Sequence, residues 1–211
     1  MPSIAPSTLV LWCLGAFLAG SIPFGLLLVK LAGKGDVRAH GSGNIGATNV
    51  SRVGGKALGI VTLLLDILKG FLPVFLAKKL GLGDGALSLM ALCGVLGHVF
   101  TPWLKFQGGK GVATALGVAL AFRAGMVLPS LGVFIVLVLA FRFVSLGSVM
   151  AAVALPLSLA WKGAPAAVLL PWAGISLIVI LKHHENIRRL LKGAESPLWG
   201  AKKQGADHVQ G

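Results

Sequence analysis

The chain has little charge, and the charge it has is lopsided. Charged residues make up 12% of 211, with six Asp or Glu against 19 Lys or Arg. Soluble domains carry about a quarter charged residues, so a water-surrounded globule is excluded. Carboxylates are too scarce for a metal cage. His183 and His184 are adjacent, so their side chains diverge, and the nearest acid is the single Glu185. The two cysteines, Cys13 and Cys93, lie inside apolar runs, which excludes a disulfide framework or a thiolate metal site and leaves packing as their role. No aromatic-basic motif accompanies the net charge of +13, so nucleic acid is not expected as a partner. The cations are expected to meet anionic membrane lipid, each gaining ~1 kcal/mol. No Lys or Arg precedes the first apolar run, which is longer than the ~7–15 residues of a signal-peptide core. A retained helix with its N-terminus outside is expected.

What is abundant is apolar: 56% of the residues are hydrophobic. A helix crossing the hydrocarbon core needs about 20 mostly apolar residues. Such runs cover roughly 8–30, 57–77, 86–104, 112–123, 125–141, 145–161 and 165–181. The expectation is an all-α integral membrane protein with about seven transmembrane helices, N-terminus periplasmic and C-terminus cytoplasmic. Because 112–123 is short, 112–141 reads alternatively as one bent helix or a re-entrant segment, giving five or six crossings. With seven crossings, 14 of the 19 cations fall inside, Lys78, Lys79, Arg123 and Lys162 fall outside, and Lys69 lies within a span. That bias fits the positive-inside rule, with Lys78-Lys79 against it. Residues 1–192 form one membrane domain, and 193–211 a short polar cytoplasmic tail expected to fray. Trp12, Trp103, Trp161 and Trp172 lie near predicted span ends, as interfacial anchors do.

On this topology four polar segments meet at one membrane face. Gly41-Ser42-Gly43-Asn44-Ile45-Gly46-Ala47-Thr48-Asn49 combines uncovered backbone N–H groups with short donors, flanked by Lys34, Arg38 and Arg52. An anion recovers in such a setting the hydrogen bonds it loses to water, which points to a phosphorylated substrate. Gly108-Gly109-Lys110-Gly111-Val112-Ala113-Thr114 sets a lysine among glycines before a helix. It is not a nucleotide loop, because G-x-x-x-x-G-K-[ST] is incomplete, but Lys110 can meet an anion as a point charge. Ser145-Leu146-Gly147-Ser148 follows the fifth span. After the seventh, His183 and Asn186 share a helix face, where an imidazole can act as acid, base or donor near neutrality. Asp66 and Lys69, i and i+3 within the second span, are spaced to pair as a clasp or a functional site. His98, after Gly97 in the third span, reads as a packed core histidine with its hydrogen bond satisfied or, alternatively, as a site residue.

Taken together and in order, these segments resemble the bacterial acyl-phosphate:glycerol-3-phosphate acyltransferases. The likeness runs through Gly20-Ser21-Ile22-Pro23, residues 41–49, Arg52 with Gly55-Lys56, Asp66 with Lys69-Gly70, Gly97-His98, 108–114, 145–148 and 183–190. Gln107 stands where similar sequences often carry a lysine. The resemblance implies transfer of a fatty acyl group from acyl phosphate to glycerol 3-phosphate, giving lysophosphatidic acid and phosphate, with no cofactor, no metal and no covalent acyl-enzyme. It implies a phosphate and substrate pocket of Ser42, Gly43, Asn44, Gly46, Ala47, Thr48, Asn49, Arg52, Lys110, Ser148, His183 and Asn186. Ser42, Lys110, His183 and Asn186 would be the catalytic members, with the base either His183 or a substrate phosphate. It implies the bacterial inner membrane, a site at the cytoplasmic face, and transient contact with the soluble enzyme that makes acyl phosphate. Five residues after His40, His98, His183 and His184 stand Ile45, Trp103, Arg188 and Arg189, none of them Asp. That weighs against the H-x-x-x-x-D acyltransferases. The rival readings are an organophosphate or lipid-phosphate transporter or flippase and a lipid-phosphate hydrolase.

Overall fold

A computed structural model describes residues 5–199. Among them every regular element is helical. The helices are α1 Pro6–Ser21, α2 Phe24–Leu31, α3 Ala47–Gly54, α4 Lys56–Lys79, α5 Asp84–Val99, α6 Val112–Phe141, α7 Val144–Trp161, α8 Ala166–Lys182 and α9 His184–Leu191. Among the described residues five stretches are long and apolar enough to cross a membrane: Pro6–Leu31, α4, Asp84–Leu104, α6 and α7. A sixth is added if α8 and α9, bent by 57° at His183, are counted as one broken span rather than a re-entrant loop. This is fewer than the seven runs read from the sequence, and α6 accounts for the difference.

α6 is helical over 30 residues except at Arg123, whose φ of −155° and ψ of 101° are extended. A straight helix of that length would hold its ends ~45 Å apart. Instead a hydrogen-bonded chain joins Lys110, just before α6, to Asn186, Glu195 and Ser145, just after it. Arg123 meanwhile pairs with Asp84 at the opposite end of α5. The two halves of α6 therefore run back past one another. The reversal exposes helix-end carbonyls, and Lys78 Nζ caps them, donating to Phe122 O at 2.6 Å and Ala121 O at 3.3 Å. Lys78, the cation that fitted poorly with the inside bias, thus has a structural task at this far end of the bundle.

Glycines set the closest helix crossings. A Cβ on Gly20 of α1 would stand 2.0 Å from Gly94 O of α5, and one on Gly117 of α6 would stand 2.0 Å from Ile67 O of α4. These contacts bring backbones together as small residues do in membrane bundles. The core is packed toward the far end by Phe122, Leu87, Met90, Ile175 and Trp172. Trp172, expected as an interfacial anchor, is instead fully buried, its indole N–H donating to Ser88 Oγ at 3.2 Å. Its span starts at Ala166, so residue 172 lies two turns inside the helix rather than at its edge. Trp103 and Trp161 are exposed.

The tail also departs from expectation. Ala194 N–H donates to Arg189 O, Leu198 N–H donates to Arg142 O, and Glu195 docks into the helix ends. Residues 194–198 therefore pack back on the bundle. Lys202, Lys203 and the rest of 200–211 lie outside the described residues.

Candidate active site

Two polar half-sites form at the end of the bundle opposite Arg123. The first is the segment between α2 and α4. Asn49 is buried and organises it, its amide donating to Val37 O, His40 O and Asn44 O at 2.9–3.1 Å and accepting from Ser42 N–H at 2.8 Å. Asn44 Oδ1 accepts from Gly46 N–H at 2.8 Å, closing an Asx turn that leads into α3. Gly46 O then accepts from Asn49 N–H and Val50 N–H, so the N–H groups of Ala47 and Thr48 are left for an anion at the helix start. Ser42, Thr48 and Arg52 are exposed beside them.

The second half-site gathers Lys110, α9 and the chain after it. Gly111 at φ 84° starts the first half of α6 and leaves Lys110 half-buried. Lys110 Nζ donates to Asn186 Oδ1, and Asn186 Nδ2 donates to Glu195 Oε1 at 2.6 Å. Glu195 also accepts from Ser145 Oγ at 2.8 Å and from Arg189 Nε at 2.7 Å. Burial alone would raise the Glu195 carboxyl, but these three donors outweigh it and hold it below its ordinary value. The Lys110 ammonium is pushed down, chiefly by burial, with Arg189 and Arg52 adding repulsion against the attraction of Glu195 and Glu185.

His183 stands at the elbow between α8 and α9, 3% exposed. Its Nδ1 lies 2.7 Å from Val179 O. A carbonyl can only accept, so the proton sits on Nδ1 and Nε2 keeps its lone pair. Burial, helped by the Lys110 charge, lowers its pKa to about 4, while the Val179 bond and Glu195 act against that. At neutral pH the ring is an uncharged acceptor.

The structure joins Lys110 and Asn186 directly, with His183 close enough to feel the Lys110 charge. The Ser42–Asn49 loop makes no hydrogen bond to them, and only Arg52 is near enough to disturb Lys110. Asn49, expected to line the pocket, spends its amide inside the loop. Ser148 is buried with its hydroxyl turned to Val144 O at 2.8 Å, and the serine that reaches the Lys110 chain is Ser145. Glu195 was not anticipated at all. The only hint was an acid in a strongly basic segment.

Comparison with known proteins shows the family. A family model described as glycerol-3-phosphate acyltransferase matches residues 10–193. The chain is 52% identical to a glycerol-3-phosphate acyltransferase of Trichlorobacter lovleyi over 88% of its own length and 95% of that protein's. It is 46% identical to one from Brucella anthropi, over 93% and 98%. Among solved structures it is similar to PlsY (YgiH), an integral membrane glycerol 3-phosphate acyltransferase in its glycerol 3-phosphate form. The TM-score is 0.86 at 42% identity, covering 92% of this chain and 96% of that one. The chain belongs to the glycerol-3-phosphate acyltransferase family.

Proposed function

We propose that the protein transfers a fatty acyl group from acyl phosphate to glycerol 3-phosphate. The observation that carries this reading is the chain Lys110–Asn186–Glu195 beside a neutral His183, with Arg52 of α3 near enough to disturb Lys110 and free N–H groups at the start of that helix. Both substrates bear phosphate. Ala47 and Thr48 N–H, Ser42, Asn44 and Arg52 suit one phosphate, and Lys110 with the start of α6 suits the other.

Acyl phosphate is an activated anhydride, so alignment and charge stabilisation do most of the work. The glycerol hydroxyl oxygen attacks the acyl carbon, the bond from that carbon to the phosphate oxygen breaks, and inorganic phosphate leaves. Lys110 stabilises the oxyanion that develops on the acyl carbonyl. His183 Nε2 accepts the hydroxyl's hydrogen bond and orients its lone pair toward the acyl carbon. With a pKa of about 4, His183 is a weaker base than a phosphate dianion whose second pKa is about 6. The hydroxyl proton therefore ends on the departing phosphate. Asn186, anchored by Glu195, holds the Lys110 ammonium in place. Transfer is direct, because Ser42 has no adjacent base to make it a nucleophile.

The fold-back of α6 supports counting its halves as two crossings, giving seven, with the N-terminus outside and the C-terminus inside. The two half-sites then face the cytoplasm of a bacterial inner membrane, where the cation-rich end meets anionic lipid. A soluble enzyme delivering acyl phosphate would approach that same face. Lysophosphatidic acid formed by purified protein only when acyl phosphate and glycerol 3-phosphate are both present supports the reading. Uptake into sealed vesicles without ester formation would favour a transporter instead.

A further inference from the structure

Inside the bundle lies a polar cluster that the proposed reaction does not use. Asp66 and Lys69 of α4 pair at 2.7 Å, each side chain 3% exposed, and His98 Nδ1 of α5 lies 3.8 Å from the same carboxylate oxygen. That ring nitrogen, expected to be satisfied, is therefore buried without a hydrogen-bond partner among the described residues. A buried pair is tolerated when its remaining hydrogen-bonding capacity is used. Lys69 uses it on Ile22 O, at 2.7 Å. Ile22 is the break between α1 and α2, where Pro23 cannot continue the hydrogen-bonding pattern. The neighbouring carbonyl, Ser21 O, is capped by Thr101 Oγ1 at 2.7 Å. Both carbonyls freed at the break are thus capped from other elements.

From this cluster the backbone leads to both half-sites. On one side α2 leaves the break and packs on the phosphate loop so closely that a Cβ on Gly25 would lie 1.9 Å from Ile45 O. On the other, Gly109 N–H donates to His98 O at 3.2 Å and Gly108 N–H to Val99 O at 3.0 Å. A Cβ on Gly109 would stand 2.1 Å from His98 Nε2, so the imidazole is the floor under the residue preceding Lys110.

We infer that Asp66, Lys69 and His98 are positioning residues that set the separation between the Ser42–Asn49 loop and Lys110, and through it the affinity for glycerol 3-phosphate. The inference rests on the acyl-transfer reading for the identity of the ligand. A clasp that serves stability alone would leave that affinity untouched.

The test uses full-length protein in detergent, with thermal midpoint, KM for each substrate, and equilibrium dialysis of labelled glycerol 3-phosphate. The double variant Asp66→Asn/Lys69→Met removes both charges together, a change buried pairs often tolerate, but takes the Lys69 ammonium from Ile22 O and leaves that carbonyl only the Phe24 N–H at 3.1 Å. Its KM and Kd for glycerol 3-phosphate are expected to rise about tenfold, with KM for acyl phosphate within about twofold of wild type. Thr101→Val uncaps only Ser21 O and is expected to move the same constant in the same direction by about threefold, which keeps the test open if the double variant fails to fold. Lys69→Arg, which retains a donor, is expected to stay within about twofold. Folded variants with wild-type Kd, or with a reduced kcat and unchanged KM, would overturn the inference. Wild-type protein that binds glycerol 3-phosphate but forms no ester would overturn the acyl-transfer reading instead, while the Kd ratios still judge the positioning role.

Discussion

The neutral, buried state of His183 makes a quantitative prediction about acid. Folding lowers its pKa from 6.5 to about 4. A group depressed in the folded state is protonated more readily in the unfolded one, so acid favours unfolding. Its contribution is complete above about pH 6.5 and is lost as pH falls toward 4. The displacement corresponds to about 3 kcal/mol, and with the side chain 3% exposed little of this is screened by solvent. For a chain of this size that is a loss of about 6–12 °C in thermal midpoint. The perturbation is acidification from about pH 7 to about pH 4.5, applied in parallel to wild type and to His183→Gln, which cannot titrate. The assay is thermal unfolding in detergent, comparing how far each protein falls rather than where each begins. Glu195, also depressed, contributes stability that is lost below its ordinary value of 4.5, in both proteins alike, so the difference isolates His183. Equal falls in the two proteins would refute the burial argument and the neutral, accepting Nε2 built on it.

Other consequences concern the polar chain and the packing. Lys110→Ala should lower kcat/KM by at least about a hundredfold while the purified protein elutes and melts as a folded species, because oxyanion donors are worth that much; a rate near wild type would remove Lys110 from the site. Glu195→Gln should weaken a bond to Arg189 and leave Asn186 less firmly held, costing about 1–3 kcal/mol in stability by thermal melt and lowering kcat more than it raises either KM. Gly20→Ala should cost about 1–3 kcal/mol, because the new Cβ would meet Gly94 O at 2.0 Å and force α1 from α5, read as a lower thermal midpoint.

Much of this was legible in the linear sequence because the membrane imposes simple rules. Apolar run lengths marked the helices, and interruptions rich in glycine and small polar residues marked the loops that gather at one end. Lys110, His183 and Asn186 stand out as candidates because residues of those types stand at helix starts and shared helix faces, and the fold brings them to one place. The fold-back of α6 was harder to read. Its two halves are equally apolar, and only Arg123 interrupts them, so length left one bent helix and two crossings both open. Glu195 was illegible for another reason. Its partner Ser145 lies 50 residues away, and an acid after Gly193 reads as a solvated tail until the chain folds back. Asn49 and Ser148 have site-like chemistry, yet local backbone geometry turns their polar atoms inward to Val37, His40, Asn44 and Val144. Trp172 misled because span edges are uncertain by about a turn or more, enough to confuse an anchor with a core residue.

The central claim is acyl transfer from acyl phosphate to glycerol 3-phosphate at the Lys110–His183 end of the bundle. The most direct measurement is a single-turnover assay of purified wild type with labelled glycerol 3-phosphate, with and without acyl phosphate. The account predicts lysophosphatidic acid and inorganic phosphate in equal amounts when both substrates are present, and neither product when either is omitted. Phosphate released without ester, or acylated protein accumulating before glycerol 3-phosphate is added, would contradict it.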